Sequence, residues 1–537
     1  MAETSVAIHA NPGWFQIGQC QVLAPIRPDF SRDEVSRLDA LLQEGDWSRV
    51  CKWMEQHLGS FAFYYQEEEL VVAGVDAVAS LPLYYSRDNN SLALADSLEY
   101  FVHEGMVAAP EVRAEIIMAG FVSGSDTLVA GVNQMLAGSC LVFEADTAGW
   151  RERRLDHTTF LPGRYGNDTM GEEECLQQCT EVFERVISQL LDRIGNRQVL
   201  LPLSGGLDSR ALALMLKQAG KKNVLCYTYG KEGNRESAIS REVAEALGFP
   251  WEFVPYSKKS WQDWEQQADT QAWLRDNFWT CSSVPHIQDV PAMRELVKRG
   301  VICEHAVFMP GHILGSLAGI WTAELTDYLN PEHCFQATFD NICDRFFQPG
   351  LMRKLLPDQN LGSFHAHLKK KMSCMWDQWD LATVAGYVES WINWRERQAK
   401  FNTSSVQAYM AQGFAFALPW CDGELVRFWE RVPFHLRLHR RLFKKWLLRR
   451  QSHLLAVSPY EKPLAGFLGR IYRKWIPRQL RLLRYSMQMR QLYREHPMQW
   501  NHLIPPEDYA RINNPELHVN HWLSLHYLQP VSLFRDA

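Results

Sequence analysis

The chain has 537 residues and a net charge of −6, from 56 Lys+Arg against 62 Asp+Glu, with 46% apolar and 22% charged residues. That profile excludes a disordered, collagenous or wholly basic chain, and the length predicts at least two domains, each able to bury a core without disulfide staples. Twelve cysteines are scattered with no CxxC pair and no Cys/His cluster at zinc spacing, no run approaches the length of a membrane span, and the first residues lack the basic and apolar regions of a signal peptide, so a reduced, cytoplasmic protein is expected.

In chain order, residues 61–102 hold the short runs FAFYY, LVVAGVD, LPLYYS and SLALADS, separated by polar turns containing Glu67 to Glu69 and Asp88-Asn89-Asn90. They predict an antiparallel, hairpin-rich sheet, to which TLVAGVNQML and GSCLVFEAD add two β-like pieces. From about Asp156 to Glu173 turn formers dominate and periodicity fades, which places a domain boundary there. Beyond it, CLQQCTEVFERVISQLLDRI has helical apolar spacing. Its Cys175 and Cys179 fall on one helix face and, with no partner pair nearby, read as buried small hydrophobes. An apolar strand (VLLPL, 199–203), a helix (SRALALMLKQAG), a strand (VLCYTYG, 224–230), a helix (ESAISREVAEALG) and a strand (WEFVPY) follow. Strands without alternation, joined by helices, predict a parallel sheet covered on both faces. The remainder, from about Trp261, reads mostly as helix, with no internal repeat or low-complexity tract.

Residues 436–494 carry sixteen Lys/Arg against a single acid, Glu461, in a chain whose net charge is negative. Within them GFLGRIYRKWIPRQLRLLRYSMQMRQLYR has the pattern of a basic amphipathic helix interrupted near Pro477. Its basic face is either solvated, paired with the acidic remainder, docked peripherally on an anionic membrane, or set against a phosphate-bearing substrate. Nucleic acid is not an expected partner, because no binding module or stacking aromatics accompany the charge.

The motif that carries chemistry is Ser204-Gly205-Gly206-Leu207-Asp208-Ser209, between an apolar strand and the helix after it. Two glycines let successive N–H groups point inward, the hydroxyls of Ser204 and Ser209 add donors, and the helix N-terminus adds positive potential. Such a loop binds pyrophosphate, and Asp208 beside a polyphosphate calls for Mg²⁺ between them. There is no GxxxxGK[ST], so this is not a Walker A loop. Leu203, Thr228, Tyr229 and Gly230 end the first two parallel strands, where open α/β sheets bind ligands, and are candidates for an adenosine pocket.

SGGLDS resembles the pyrophosphate-loop signature of ATP pyrophosphatases, and nearly the whole chain resembles the asparagine synthetase family. The residues that carry this are GSFAFYYQEEELVVAGVDAVASLPLYYS with SLALADSLEYF and GSDTLVAGVNQMLAGSCLVFE in the first part, then NRESAISREVAEALG and PWCDGELVRFWERVPFHLRL with FKKWLLR. The resemblance implies an α/β protein. Residues 1–165 would form a glutaminase-like, Ntn-hydrolase-like antiparallel β domain. Residues 175–537 would form a doubly wound parallel-sheet synthetase domain of the adenine nucleotide α-hydrolase (HUP-like) type, with a largely helical C-terminal part. ATP and Mg²⁺ are the implied cofactors.

Two departures limit what carries over. The family's glutaminase uses an N-terminal cysteine, whereas position 2 is Ala2 and the first cysteine is Cys20, so a glutaminase-like scaffold without that activity is expected, with free ammonia or an amine as nitrogen donor. The family's Gly-rich loop ends in an acid, whereas Val307 to Ser316 holds Pro310-Gly311-His312 and no acid. Gly311 is kept as a nucleotide-binding candidate, His312 as a base, and Glu304 or His305 as groups reaching metal or substrate from upstream. Lys462, before Gly466-Phe467, matches the family's late lysine, a cation for charge gathering on the α-phosphate. Pro310-Gly311-His312 and WRERQAKFNTSSVQAYMAQGFAFALPWCD resemble the branch found with bacterial surface-polysaccharide genes, which implies a small-molecule or sugar-linked carboxylate substrate. The expected activity is an ATP-dependent, AMP-forming carboxylate–amine ligase. An intramolecular lactam or macrolactam synthetase and a non-catalytic nucleotide-binding scaffold are the alternatives.

Overall fold

The computed structural model describes residues 5–11, 13–24, 32–56, 59–102, 108–161, 170–280, 282–319, 334–376, 389–451, 495–514 and 516–528. The first half is built on two sheets. A six-stranded antiparallel sheet has the order β10-β9-β5-β4-β3-β2, from β2 (Phe15–Ile17), β3 (Cys20–Leu23), β4 (Ala62–Glu67), β5 (Leu70–Val75), β9 (Ser139–Asp146) and β10 (Gly149–Asp156). A four-stranded sheet, β1-β7-β6-β8, comprises β1 (Ser5–His9), β6 (Tyr84–Arg87), β7 (Ser91–Ala95) and β8 (Val132–Gln134). In it β1 joins β7 in parallel, so this half is not wholly antiparallel.

Period two along β4 and β5 sends Tyr64, Val71 and Ala73 to one face and Phe63, Tyr65 and Val72 to the other. The first set packs with Tyr85, Leu92 and Leu94 of the second sheet. The second set is covered by α1 (Arg32–Gln43) and α2 (Trp47–Gln56) through Val35, Leu38, Val50 and Met54. Burial on both faces is why these strands read as nearly continuous apolar runs. Strand β10 escaped that reading, because Arg151, Glu152, Arg153 and Arg154 are exposed and its order comes from pairing with β9 at the sheet edge.

In the second half, α4 (Glu172–Ile194) precedes β11 (Val199–Pro202), α5 (Leu207–Gln218), β12 (Val224–Gly230), α6 (Arg235–Leu247) and β13 (Trp251–Pro255). With β14 (Val307–Phe308) and β15 (Ala415–Phe416) these strands form a parallel five-stranded sheet, order β13-β12-β11-β14-β15. Two strands thus lie in the stretch expected to be mostly helical; at two residues each they are too short to show a pattern. Helices fill the rest of it, including Val290–Lys298, Leu361–Trp376, a π-helical turn series over Glu389–Asn402, Gly423–Arg431 and Val519–Tyr527. The chain runs outward from β11 to β13 and then returns to the other side of β11, so the topological switch lies between β11 and β14.

Cys175 and Cys179 are buried in α4 as small hydrophobes, with burial pushing the Cys175 thiol up to about 11. The helix Arg441–Gln451, the start of the basic stretch, is ion-paired with α4: Arg441 and Lys445 reach Glu172, Arg449 reaches Glu173 at 2.6 Å, and Arg450 reaches Glu184 at 2.5 Å. Four of the basic residues of this part are thus paired with the acidic remainder; of the stretch 436–494 expected to touch a membrane, 452–494 lies outside the described residues.

The two halves share one continuous buried cluster, and one buried ionic knot joins them. Glu115, fully buried in α3 (Pro110–Ala119), accepts from Lys371 Nζ at 2.7 Å, His367 Nε2 at 2.7 Å and the Ser123 N–H at 2.6 Å. Burial pushes its carboxyl up, but Lys371 and these hydrogen bonds bring it net below its ordinary value of 4.5. Lys371→Met leaves that carboxylate without its cation and is expected to cost about 3–5 kcal/mol at neutral pH. The deficit should shrink as pH falls through the carboxylate range, where a protonated Glu115 needs no cation. Urea denaturation at pH 7 and pH 4 measures both.

Candidate active site

At the carboxyl ends of β11, β12 and β14 a cavity of about 380 Å³ opens. Leu203, Ser204, Gly206, Leu207, Asp208, Ser209, Thr228, Tyr229, Gly311 and His312 all line it, so most of the expected site residues come together. The β11–α5 loop is held by its own hydroxyls: Ser204 Oγ and Ser209 Oγ are 3.0 Å apart, the Ser204 N–H donates to Ser209 Oγ at 3.2 Å, and the Gly206 N–H donates to Ser204 Oγ at 3.2 Å. Gly205 turns away from the cavity toward α6, where an added Cβ would lie 3.3 Å from Glu236 Cα.

The loop after β14 seals against this one. A Cβ on Gly311 would stand 2.7 Å from Ser209 Cα and 2.8 Å from its nitrogen. Two residues on, Ile313 has φ +81°, a left-handed conformation costly for a β-branched residue, and the Leu314 N–H closes back on His312 O at 3.1 Å. That strained turn aims the Gly315 N–H at Asp208 Oδ2, 2.7 Å away. Asp208 is about one quarter exposed (26%), and Arg440 Nη1 stands 3.9 Å from its Oδ1. Burial pushes its carboxyl up to about 6, against the Gly315 N–H and Arg440, which lower it. Arg440 arrives through two consecutive left-handed residues, His439 (φ +55°) and Arg440 itself (φ +60°).

Glu236 and Asp289 are the other carboxylates lining the cavity. Both oxygens of Asp289 are engaged, one by the Tyr229 hydroxyl and one by the Tyr409 hydroxyl. His312 Nε2 lies 3.0 Å from Ser405 Oγ, and burial, then His286, push its imidazole down to about 4. It is therefore neutral at pH 7, a hydrogen-bonding group with little proton affinity.

Three carboxylates and one guanidinium give the cavity a net negative lining, into which a polyphosphate enters only with a divalent cation. Asp208 fits that ion: Oδ2 is fixed by a backbone N–H, and Oδ1 has Arg440 beyond hydrogen-bond length. Mg²⁺ needs only one or two protein carboxylates when phosphates supply the rest. Among the described residues no group of three ligating side chains forms a closed metal site.

Besides Gly205, three expected residues are not brought here. Gly230 (φ +130°) lies against the chain at Pro497, where a Cβ would be 2.8 Å from Pro497 O. Glu304 and His305 precede β14 and stand at the opposite end of the parallel sheet, exposed beside Arg197 and Met410. The intervening strand carries the chain across the sheet before it reaches Gly311. Lys462 lies outside the described residues. Conversely Arg440, Asp289, Glu236 and Gly315 belong to the site without having been singled out. Arg440 was legible only as one charge in a basic run, and Gly315 contributes a backbone N–H that no side chain announces.

Residues 183–287, which contain this loop and the first three parallel strands, match the family model described as asparagine synthase. This part of the chain is similar to asparagine synthases. The asparagine synthase match therefore covers β11 to β13 and the loop with Asp208, while β14, His312 and Arg440 complete the site from outside it. Among solved structures, the glutamine phosphoribosylpyrophosphate amidotransferase from B. subtilis complexed with ADP and GMP is 10% identical, covering 56% of this chain and 64% of that one, at a TM-score of 0.16. A likeness at that level carries no argument. No curated protein matches the chain.

Proposed function

We propose that the chain is an ATP-dependent, AMP-forming carboxylate–amine ligase that uses ammonia or an amine directly. The observation that carries this reading is the convergence of the Ser204–Ser209 loop, Asp208 and the Gly311–Gly315 turn on one cavity at the switch point of the parallel sheet. The Ser204–Ser209 loop, at the N-terminus of α5, holds pyrophosphate, and Thr228 with Tyr229 flank the adenosine. Asp208 would hold Mg²⁺, which when bound neutralises charge on the phosphates. The substrate carboxylate attacks the α-phosphorus and pyrophosphate leaves; the amine then attacks the acyl carbon and AMP leaves. Arg440, and Lys462 by the family resemblance, offset the negative charge that gathers in both steps.

The absence of glutamine hydrolysis has support in the first half of the chain. Cys20 and Cys140 are fully buried and Cys51 is partly so, and burial pushes all three thiols up, away from a nucleophilic thiolate. The carboxylate is a small molecule or is linked to a sugar, in keeping with the surface-polysaccharide branch. ATP–pyrophosphate exchange across a panel of carboxylates tests the chemistry: exchange that depends on one acid, with AMP as nucleotide product, is expected. ADP and phosphate as products would contradict it.

A further inference from the structure

The turn that fixes Asp208 is itself held from behind. Ile313 keeps a left-handed backbone, which a β-branched residue retains only where its surroundings over-determine it. Within the turn the Ser316 N–H donates to Ile313 O at 2.8 Å. From outside it, Gln398 Nε2 donates to Ser316 Oγ at 2.7 Å, and both residues are buried. Gln398 Oε1 accepts from Nδ2 of Asn402, a residue of the cavity wall, at 2.5 Å, and the Gln398 carbonyl accepts the Thr403 N–H at 2.9 Å and the Thr403 hydroxyl at 2.8 Å. Hydrogen bonds in so dry a place are strong and expensive to leave unmade. Gln398 belongs to the π-helical series Glu389–Asn402, and π-helical turns are rare and occur mostly at functional sites. Two residues to either side, the same series is bound to the first half of the chain. Glu396 and Lys400, both buried, pair at 2.9 Å; Glu396 Oε1 accepts the Gly124 N–H at 2.9 Å, and Lys400 Nζ donates to the carbonyls of Val122 and Gly124.

We propose that Gln398 is a positioning residue for the carboxylate that would hold Mg²⁺, and that the first half of the chain sets it. The Val122–Gly124 loop fixes Glu396 and Lys400, these fix the π-helical series, and Gln398 through Ser316 keeps the Gly315 N–H on Asp208 Oδ2, the last link at 2.7 Å. The strain at Ile313 gives the coupling its direction: once Ser316 is released from Gln398, the turn relaxes and the Gly315 N–H leaves Asp208. The first half thereby acts on the nucleotide site through contacts alone, with no reaction of its own required. The part played by the metal rests on the ligase reading, whereas the hold on Gly315 does not.

Hydrogen–deuterium exchange at the Gly315 amide, in the full chain free of metal and nucleotide, reads the hold directly, and calorimetric titration with Mg·ATP reads its consequence. Gln398→Leu and Ser316→Ala should each speed exchange at Gly315 by about tenfold and weaken Mg·ATP binding by about as much, while exchange in β4 and β5 stays as in wild type. Both substitutions remove the same bond, so the double variant should be no worse than either single one. Glu396→Gln and Lys400→Gln, acting from the side of the first half, should each speed the same amide by about threefold. Wild-type exchange at Gly315 in Gln398→Leu and Ser316→Ala, additive effects in the double variant, or equal acceleration in β4 and β5 overturns the positioning role. Wild-type exchange in Glu396→Gln and Lys400→Gln removes the first half from it. Where one variant of a pair fails to fold by circular dichroism, the other decides. Faster exchange in the variants of a chain that binds no Mg·ATP would sink the ligase reading and leave the hold on Gly315 standing.

Discussion

In protein free of metal and nucleotide, Asp208→Asn is expected to raise stability by about 1–2 kcal/mol, while lowering AMP release by about a thousandfold or more. The first effect follows from the carboxyl's folded value of about 6 against its ordinary 3.8. The folded state binds this proton more tightly than the unfolded chain, so the penalty is absent below about pH 4, grows as pH rises through the interval, and is complete above about pH 6. Two pKa units correspond to about 2.7 kcal/mol, which the partial exposure of the side chain reduces. Asparagine keeps an oxygen to accept the Gly315 N–H and loses the charge. Thermal melts of both proteins in chelator, from pH 4 to 8, should therefore diverge only as pH rises. A variant less stable than wild type at pH 7, or one that still releases AMP at the wild-type rate, would remove Asp208 from its assigned place.

Gly311→Ala is expected to have the second largest effect, and for a steric reason. A Cβ 2.7 Å from Ser209 Cα and 3.1 Å from the Asp208 carbonyl carbon meets backbone, which cannot swing aside as a side-chain tip would. The two loops must part, carrying Asp208 away from the Gly315 N–H. Mg·ATP affinity should fall about a hundredfold and stability by about 1–3 kcal/mol. Gly315→Ala is the informative comparison. There a Cβ would stand 2.9 Å from Asp208 Oδ2, a side-chain atom that can rotate, so stability should fall less while Mg²⁺ dependence still suffers. Wild-type affinity in Gly311→Ala would show that the loops do not need their contact.

What could be read in advance tracks how local each determinant is. VLLPL, SGGLDS and the helix after them lie in one stretch from Val199 to Gln218 and follow from apolar runs, turn glycines and helix spacing, so β11, α5 and the loop hydroxyls were legible. Strand β14 was not, because two residues carry no period, and missing it put Glu304 on the wrong end of the sheet. Asp289 enters the site through hydrogen bonds from Tyr229 and Tyr409, positions far apart in the chain, and its own neighbourhood announces no chemistry. Arg440 depends on left-handed backbone at His439 and Arg440, two residues whose types do not demand it. Strand β10 is charged along its length and is ordered by its partner β9.

Titration of ATP into the purified chain, with and without Mg²⁺, tests the central claim most directly, since it needs no knowledge of the carboxylate. The account predicts binding that requires Mg²⁺ in wild type and is lost in Asp208→Asn. No binding at millimolar ATP to protein shown to be folded, or binding equal in both proteins and indifferent to Mg²⁺, would contradict it.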